Sequence, residues 1–427
     1  MRAGLYVHIP FCRRKCFYCD FPAFSGRRPG AVFRYVQALR REIQMVAEAL
    51  SGGDYPAGRS GPERAGALAG EPGREPARAF SSVYFGGGTP TYLDTDQLIT
   101  LLETIRETLP LEEDAEITVE ANPDPATLTP EKLQALASCG VNRLSLGAQS
   151  WQNHHLRALG RDHTAEQTEE AAAKARAAGF ANLNLDLMYA LPGQTLGEWQ
   201  RTLERALALS PEHISAYSLI YEEGTPFHRW LQGGRIRPVD EEEERAMYDL
   251  AYALLPQAGL EPYEISNFAR PGYESRHNLL YWQYENWWGV GVGAHSHFAN
   301  RRWRNWTTLD RYEAAVAQGI LPVAESIELS LEDEMVEMIL MGLRLAQGLD
   351  GGAFHERFGV TLDEVYGPII DRLVDGGFLA RTAGGGLRLT GEGRPVGNAI
   401  FAEFLDPVPV FRRNGSATRP VLRGGFR

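Results

Sequence analysis

Three of the chain's four cysteines fall close together, as Cys12, Cys16 and Cys19 in the run HIPFCRRKCFYCDF. A Cys-x3-Cys-x2-Cys loop can wrap three thiolates around one corner of an iron–sulfur cubane, and such clusters are held by cysteine thiolate. A cubane with only three protein ligands keeps one iron open, which invites a small-molecule ligand. Two other chemistries use similar residues. A structural zinc site would want a fourth Cys or His, for which His8 is near in sequence but on a strand. Cys16 and Cys19 alone would make a redox pair, leaving Cys12 without a role. The open cluster accounts for all three cysteines and is the expected site. Cys139, in QALASCGVNRL, reads as a packing thiol.

More polar residues stand where apolar runs end. FGGGTPTYL (85–93) supplies Gly87, Gly88 and Thr89, where backbone groups can approach a ligand closely, or simply turn. VEANP (119–123) supplies Glu120, a carboxylate able to accept from a ribose or amine. RLSLGAQS (143–150) adds Gln149, GRDHT (160–164) adds Arg161, and NLDLMYALPGQT (184–195) adds Asp186. Singly, each is an ordinary satisfied loop residue. In series on one rim they make a polar pocket. GVGVGAHSH (289–297) has a glycine spacing like a dinucleotide fingerprint, but no helix of a βαβ unit follows it. A backbone wall of the same pocket is expected there.

The elements that must hold these residues are legible as an alternation. Strands are expected at 5–9, 82–86, 116–121, 143–148, 182–189 and 213–219, with helices between them such as 31–50 and 164–179. Six strands alternating with helices imply a parallel sheet with right-handed crossovers. Polar and Gly-rich signals follow nearly every strand, so an α/β fold of the partial (β/α)6 barrel type is expected over 1–225, rather than a doubly wound nucleotide fold. Its ligands would sit at the C-terminal ends of the strands. Residues 51–80, rich in Gly, Pro, Ala and Arg, read as a flexible insertion.

Residues 226–327 form a less regular, aromatic-rich extension. A helical, winged-helix-like domain is expected over 328–405, from helices at 329–348 and 361–376, a hairpin over 378–390 and a last helix. Between 330 and 405 twelve Asp and Glu face six Lys and Arg, the wrong sign for gripping phosphates. A net charge of −12 over 427 residues argues the same way, so no nucleic-acid partner is expected. Residues 406–427 read as a basic, solvated tail. Neither a signal peptide nor a membrane span is evident, and a cytoplasmic location is expected.

The cysteine loop resembles the signature of the radical S-adenosylmethionine enzymes. YVHIPFC and YCDF are similar to the branch that contains anaerobic coproporphyrinogen III oxidase and its relatives, and the likeness runs from about residue 4 to 405 without the insertion. The resemblance implies a 4Fe–4S cluster on Cys12, Cys16 and Cys19, with S-adenosylmethionine on the open iron. It places the amino end of that ligand at Gly87, Gly88 and Thr89, with further contacts at Tyr6, Tyr18, Glu120, Gln149, Arg161 and Asp186. The implied chemistry is reductive cleavage of the sulfonium to a 5′-deoxyadenosyl radical, which calls for an electron donor. The protein's part would be to place sulfur beside iron and exclude water and oxygen.

Two features depart from the oxidases proper. Phe21 stands where those carry a fourth cysteine, two positions after the third. RHNLLYW (276–282) and YEISNFAR (263–270) resemble the family's haem-chaperone branch. By that resemblance His277 ligates haem iron while Tyr281 and Trp282 stack on the macrocycle, with His295 and His297 as rival ligands. Plain aromatic packing is the alternative. The expected function is a haem chaperone that holds haem, a 4Fe–4S cluster and S-adenosylmethionine and passes haem to an acceptor protein. The alternative is an oxygen-independent coproporphyrinogen III oxidase.

Overall fold

A computed structural model describes residues 2–26, 29–52 and 79–405. Most of the expected insertion and all of the expected basic tail lie outside the described residues. The six expected strands form as β1 Ala3–Ile9, β2 Phe80–Gly87, β3 Leu111–Ala121, β4 Arg143–Gln149, β5 Asn182–Tyr189 and β6 His213–Ser218. Consecutive strands pair in parallel throughout. The crossovers carry α1 Pro29–Gly52, α2 Thr95–Thr108, α3 Pro130–Ser138, α4 Asn153–Leu159, α5 Ala165–Ala177 and α6 Leu196–Ala208. Capping boxes begin α2, α5 and α6, which fixes where three crossovers enter their helices. The expected α/β partial-barrel fold is what the chain adopts.

The segment after β6 is more regular than its composition suggests. It supplies β7 Glu261–Pro262, β8 Asn267–Ala269, β9 Asn286–Val290, β10 His295–Phe298, β11 Arg301–Asn305 and β12 Val323–Glu328. These extend both edges, giving the order β12-β11-β10-β9-β1-β2-β3-β4-β5-β6-β8-β7. Several are only two to five residues long and rich in Trp, His and Arg. Pairing with an existing sheet edge, rather than β-branched patterning, defines them.

Register sorts the side chains into two faces. Leu5, Val7 and Ile9 of β1, with Val83 and Phe85 of β2, join the apolar core that also includes Tyr35, Leu39 and Ile43 of α1. The opposite face is polar in matched rows: Tyr6 beside Tyr84, Glu120 beside Ser145, Asn184 beside His213 and Asp186 beside Ser215. Parallel strands covered on both faces usually read as continuous apolar runs. Here the period of two marks a polar inner face.

Among the described residues, a second compact unit comprises Tyr263–Ile265, Tyr281–Tyr284 and residues 328–405. Helices Leu331–Gly342, Gly351–Phe358, Leu362–Asp375 and Gly397–Glu403 surround a core containing Ile339, Phe354, Ile370, Leu387 and Phe404. Its hairpin pairs Leu379–Arg381 with Leu387–Leu389. The helix Gly351–Phe358 has no counterpart among the sequence expectations; Asp350 caps it through Gly352 N and Ala353 N.

Candidate functional site

The cysteine loop leaves the C-terminal end of β1, and its first residues, Phe11–Cys12, pair with Phe24–Ser25. The glycine motif after β2 is laced to it: Gly88 N donates to Ile9 O and Thr89 N to Phe11 O, each at 2.8 Å. Two of its positions admit only glycine. Gly87 has φ of 106°, and a Cβ there would lie 2.4 Å from the His8 ring. A Cβ on Gly88 would come within 2.8 Å of both Ile9 O and Phe11 O. The glycines thus let the second strand end close against the cysteine loop.

Cys12 is buried, Cys16 and Cys19 are half-buried, and all three are free thiols. Thr89 Oγ1 donates to Cys12 Sγ at 3.5 Å, and Arg161 Nη1 to Cys16 Sγ at 3.5 Å. Arg161 Nη2 also donates to Asn122 Oδ1 and Gly147 O, both at 2.6 Å, while Asn122 Nδ2 donates to Thr89 Oγ1 at 3.1 Å. One hydrogen-bonded chain therefore joins the surroundings of two cysteines. Burial pushes the Cys19 thiol up to about 12, and nearby Cys16 adds to the shift. Burial raises Cys12 as well, against the hydrogen bond from Thr89. Thiols so placed become thiolates only beside strong positive charge, which the irons of a cluster provide. The donor set fits such a group. Burial works against the Arg161 charge, but Cys16 and Tyr18 hold it firmly protonated.

The remaining expected residues line the inner face and its rim. Tyr6 Oη lies 3.0 Å from His8 Nδ1, and His8 Nε2 lies 2.9 Å from Pro22 O. Tyr84 Oη donates to Glu120 Oε1 at 2.8 Å. Ser145 Oγ and Asn184 Nδ2 each donate to Asp186 at 2.9 Å. Burial lifts Glu120 to about 7, with Asp186 adding to the shift, and burial raises Asp186 itself. Gln149 ends β4 at φ of 64°, a conformation that costs a non-glycine residue energy. Tyr18 packs edge-on to Phe227, with ring centroids 6.5 Å apart. An open cleft beside Cys16 is bounded by Arg13, Thr89, Asn122, Asp124, Arg161 and His163. Arg13 pairs with Asp124 at 2.6 Å within it.

His277 lies on the same inner face but deeper, against Tyr6 and Tyr84. Its ring is 1% exposed, Ser82 Oγ is 2.8 Å from its Nδ1, and it stacks on Tyr84 with centroids 5.1 Å apart. Burial, helped by Arg143, pulls it down to about 3, so it stays neutral. Glu116 accepts from the backbone N–H groups of Arg276 and His277, fixing the start of this helix against β3. His277 is therefore at the Ser82 level of the inner face, two residues before Tyr84, whereas the cysteines follow the other end of β1. His297 is equally buried at 1%, while His295 is exposed.

The GVGVG segment is braced from behind by α1. Glu42 accepts from Gly291 N at 2.7 Å, Asn305 Nδ2 at 2.6 Å and Tyr312 Oη at 2.5 Å, and Tyr35 Oη donates to His8 O at 2.6 Å. The residues missed from sequence are Asn122, Tyr84, Ser145 and Asn184, and His8 is offered there only as a zinc ligand. For the four on strands the signal was present, as polar residues at alternate positions in otherwise apolar runs.

Residues 6–206 match the Radical SAM superfamily, and residues 329–396 match the HemN C-terminal domain. The chain is 36% identical to the Bacillus subtilis protein named heme chaperone HemW, over 94% of this chain and 98% of that one. The chain belongs to the HemW family of radical SAM proteins. Its Mycobacterium tuberculosis relative of the same name is 35% identical over 94% of each chain. In shape, the HemW-family chain matches the coproporphyrinogen III oxidase HemN from Escherichia coli, with a TM-score of 0.77 over 94% of this chain and 89% of that one. At 24% identity that likeness establishes the fold. Membership of the radical SAM superfamily implies a 4Fe–4S cluster and S-adenosylmethionine. Among the described residues no helix is long and apolar enough to cross a membrane.

Proposed function

We propose that this chain is a cytoplasmic haem carrier that delivers haem to an acceptor protein. In this proposal Cys12, Cys16 and Cys19 hold the cluster and the strand-end rim holds S-adenosylmethionine. The observation that carries it is the end-to-end likeness to proteins named heme chaperone HemW, at 36% identity across 98% of the first relative. Phe21, in place of the oxidases' fourth cysteine, agrees with it.

A cluster held by Cys12, Cys16 and Cys19 would, once reduced by an external donor, supply the electron for cleavage of the sulfonium of S-adenosylmethionine. Thr89 and Arg161 donate to the sulfurs of Cys12 and Cys16 and so temper their charge. Asn122 ties those two donors together and keeps the rim in one geometry. Glu120, lifted to about 7, accepts a hydrogen bond from a ribose or amine and can hold a proton near neutrality. Tyr6 and Asp186 shape the inner face beside it, Gly87 and Gly88 bring backbone close to the amino end, and Gln149 and Tyr18 close the rim.

Haem iron is assigned to His295 rather than to His277. His295 is exposed at its surface; burial lowers its pKa most, Arg304 and Arg302 add to this and Glu325, paired with Arg304, opposes it, so cations suited to haem propionates stand near it. The buried, Ser82-bonded ring of His277 would have to leave the inner face to reach iron. Anaerobically reconstituted protein should give a Soret band on titration with haemin and transfer haem to an apo-acceptor. It should form no porphyrinogen product from coproporphyrinogen III with reductant and S-adenosylmethionine. Product formation without haem binding would overturn the carrier function. Loss of the Soret band in H277A but not in H295A, with both folded, would return the ligand to His277.

A further inference from the structure

On the outer side of the sheet, α4 and α6 bring together three side chains that play no part in the cofactor site. Glu198 Oε1 lies 3.4 Å from His154 Nε2, and Glu198 Oε2 lies 3.4 Å from His155 Nε2. The two imidazole centroids are 4.1 Å apart, and the ligand atoms of all three residues fall within 4.8 Å of one another. Good N–H···O hydrogen bonds are shorter, about 2.7–3.2 Å. Ligand atoms within 4.8 Å of one another can converge on one cation with metal–ligand bonds of about 2.0–2.1 Å after small side-chain rotations.

The surroundings hold this arrangement ready. Thr195 N and Oγ1 donate to Glu198 Oε2 at 3.0 and 3.1 Å, orienting the carboxylate as outer partners orient metal ligands. Gln152 Nε2 donates to Glu198 O at 3.1 Å and ties the approach to α4 onto α6. His155 is buried while His154 is 56% exposed, so one side of the cluster is fixed and the other faces solvent. Two imidazoles and one carboxylate, with a fourth position open to water, suit zinc and its neighbours rather than calcium or magnesium.

We propose that His154, His155 and Glu198 form a three-ligand site for a divalent transition-metal cation of the zinc class. Bound there, the cation joins α4 to α6. α4 leads through Gly160 directly into Arg161, the residue that touches Cys16, so the site steadies one support of the cysteine loop.

The test is titration of the cluster-loaded full chain with Co2+, read by visible absorption, with Zn2+ as competitor. The expected result is one equivalent with tetrahedral ligand-field bands, no thiolate-to-cobalt charge-transfer band, and displacement by Zn2+. Two variants retain the local fold. H154A removes an exposed ring, and E198Q keeps a residue that can still complete the capping box. Each should weaken binding by at least about 10- to 100-fold, the cost usual for losing even an outer partner. Cobalt bands of thiolate character only, or uptake in H154A and E198Q equal to the parent, would overturn the site.

Discussion

Arg161 reaches across the rim to Cys16, its Nη1 3.5 Å from Sγ, while Nη2 donates at 2.6 Å to both Asn122 Oδ1 and Gly147 O. A planar fork serves three acceptors at once, which the point charge of lysine does not reproduce. R161K should therefore retain the cluster but bind S-adenosylmethionine about 10- to 100-fold more weakly, as expected for losing one or two charge-assisted bonds. Calorimetric titration of reconstituted protein, alongside iron and sulfide analysis, checks this. Unchanged affinity would remove Arg161 from the site.

Gly87→Ala puts a methyl group 2.4 Å from the His8 ring, at a φ that L-residues avoid. A loss of about 2–4 kcal/mol in unfolding free energy is expected, from combined backbone strain and overpacking. Gly193 also has positive φ but open space around it, so G193A should cost less. Denaturant titration of the two variants compares them directly; equal losses would show that crowding at His8 is unimportant.

Cys16→Ala removes one of the three thiolates proposed for the cluster, and a cubane with two protein ligands is not retained. The expected outcome is loss of the brown chromophore after anaerobic reconstitution, with an unchanged far-ultraviolet circular dichroism spectrum. Full iron and sulfide content in this variant would refute the cysteine assignment.

Glu42 and Glu120 are both lifted from 4.5 to about 7, chiefly by burial. Each folded carboxyl then holds its proton where the unfolded chain has lost it, so the folded state binds more protons between those values. Stability should fall as pH rises from about 4.5 to 7, with a slope of up to about 1.4 kcal/mol per pH unit for each group. Denaturation midpoints in E42Q and E120Q should show a shallower fall over this window. A slope unchanged in both variants would contradict the burial-driven shifts.

The sequence by itself determined the cysteine loop, the six parallel strands and the positions of Gly87, Glu120 and Gln149 at or next to strand ends, whereas Asp186 lies within β5 and Arg161 follows α4. Those features are local: spacing, periodicity and turn chemistry act over a few neighbouring residues. The short strands after β6 carry no periodic pattern of their own, because pairing onto the sheet's flanks defines them. Asn122 could not be singled out either, since its worth lies in joining Thr89 to Arg161 from a third strand end.

Only the tertiary structure decided which histidine is accessible. His277 and His295 look alike in sequence as histidines near aromatic residues. Register places one over Ser82 and Tyr84 on the buried inner face and the other opposite Arg304 on β10, between β9 and β11. The same holds for His154 and His155, whose meeting with Glu198 depends on two helices separated in sequence by α5 and β5. Burial and long-range proximity arise from packing between distant segments, and no local pattern encodes them.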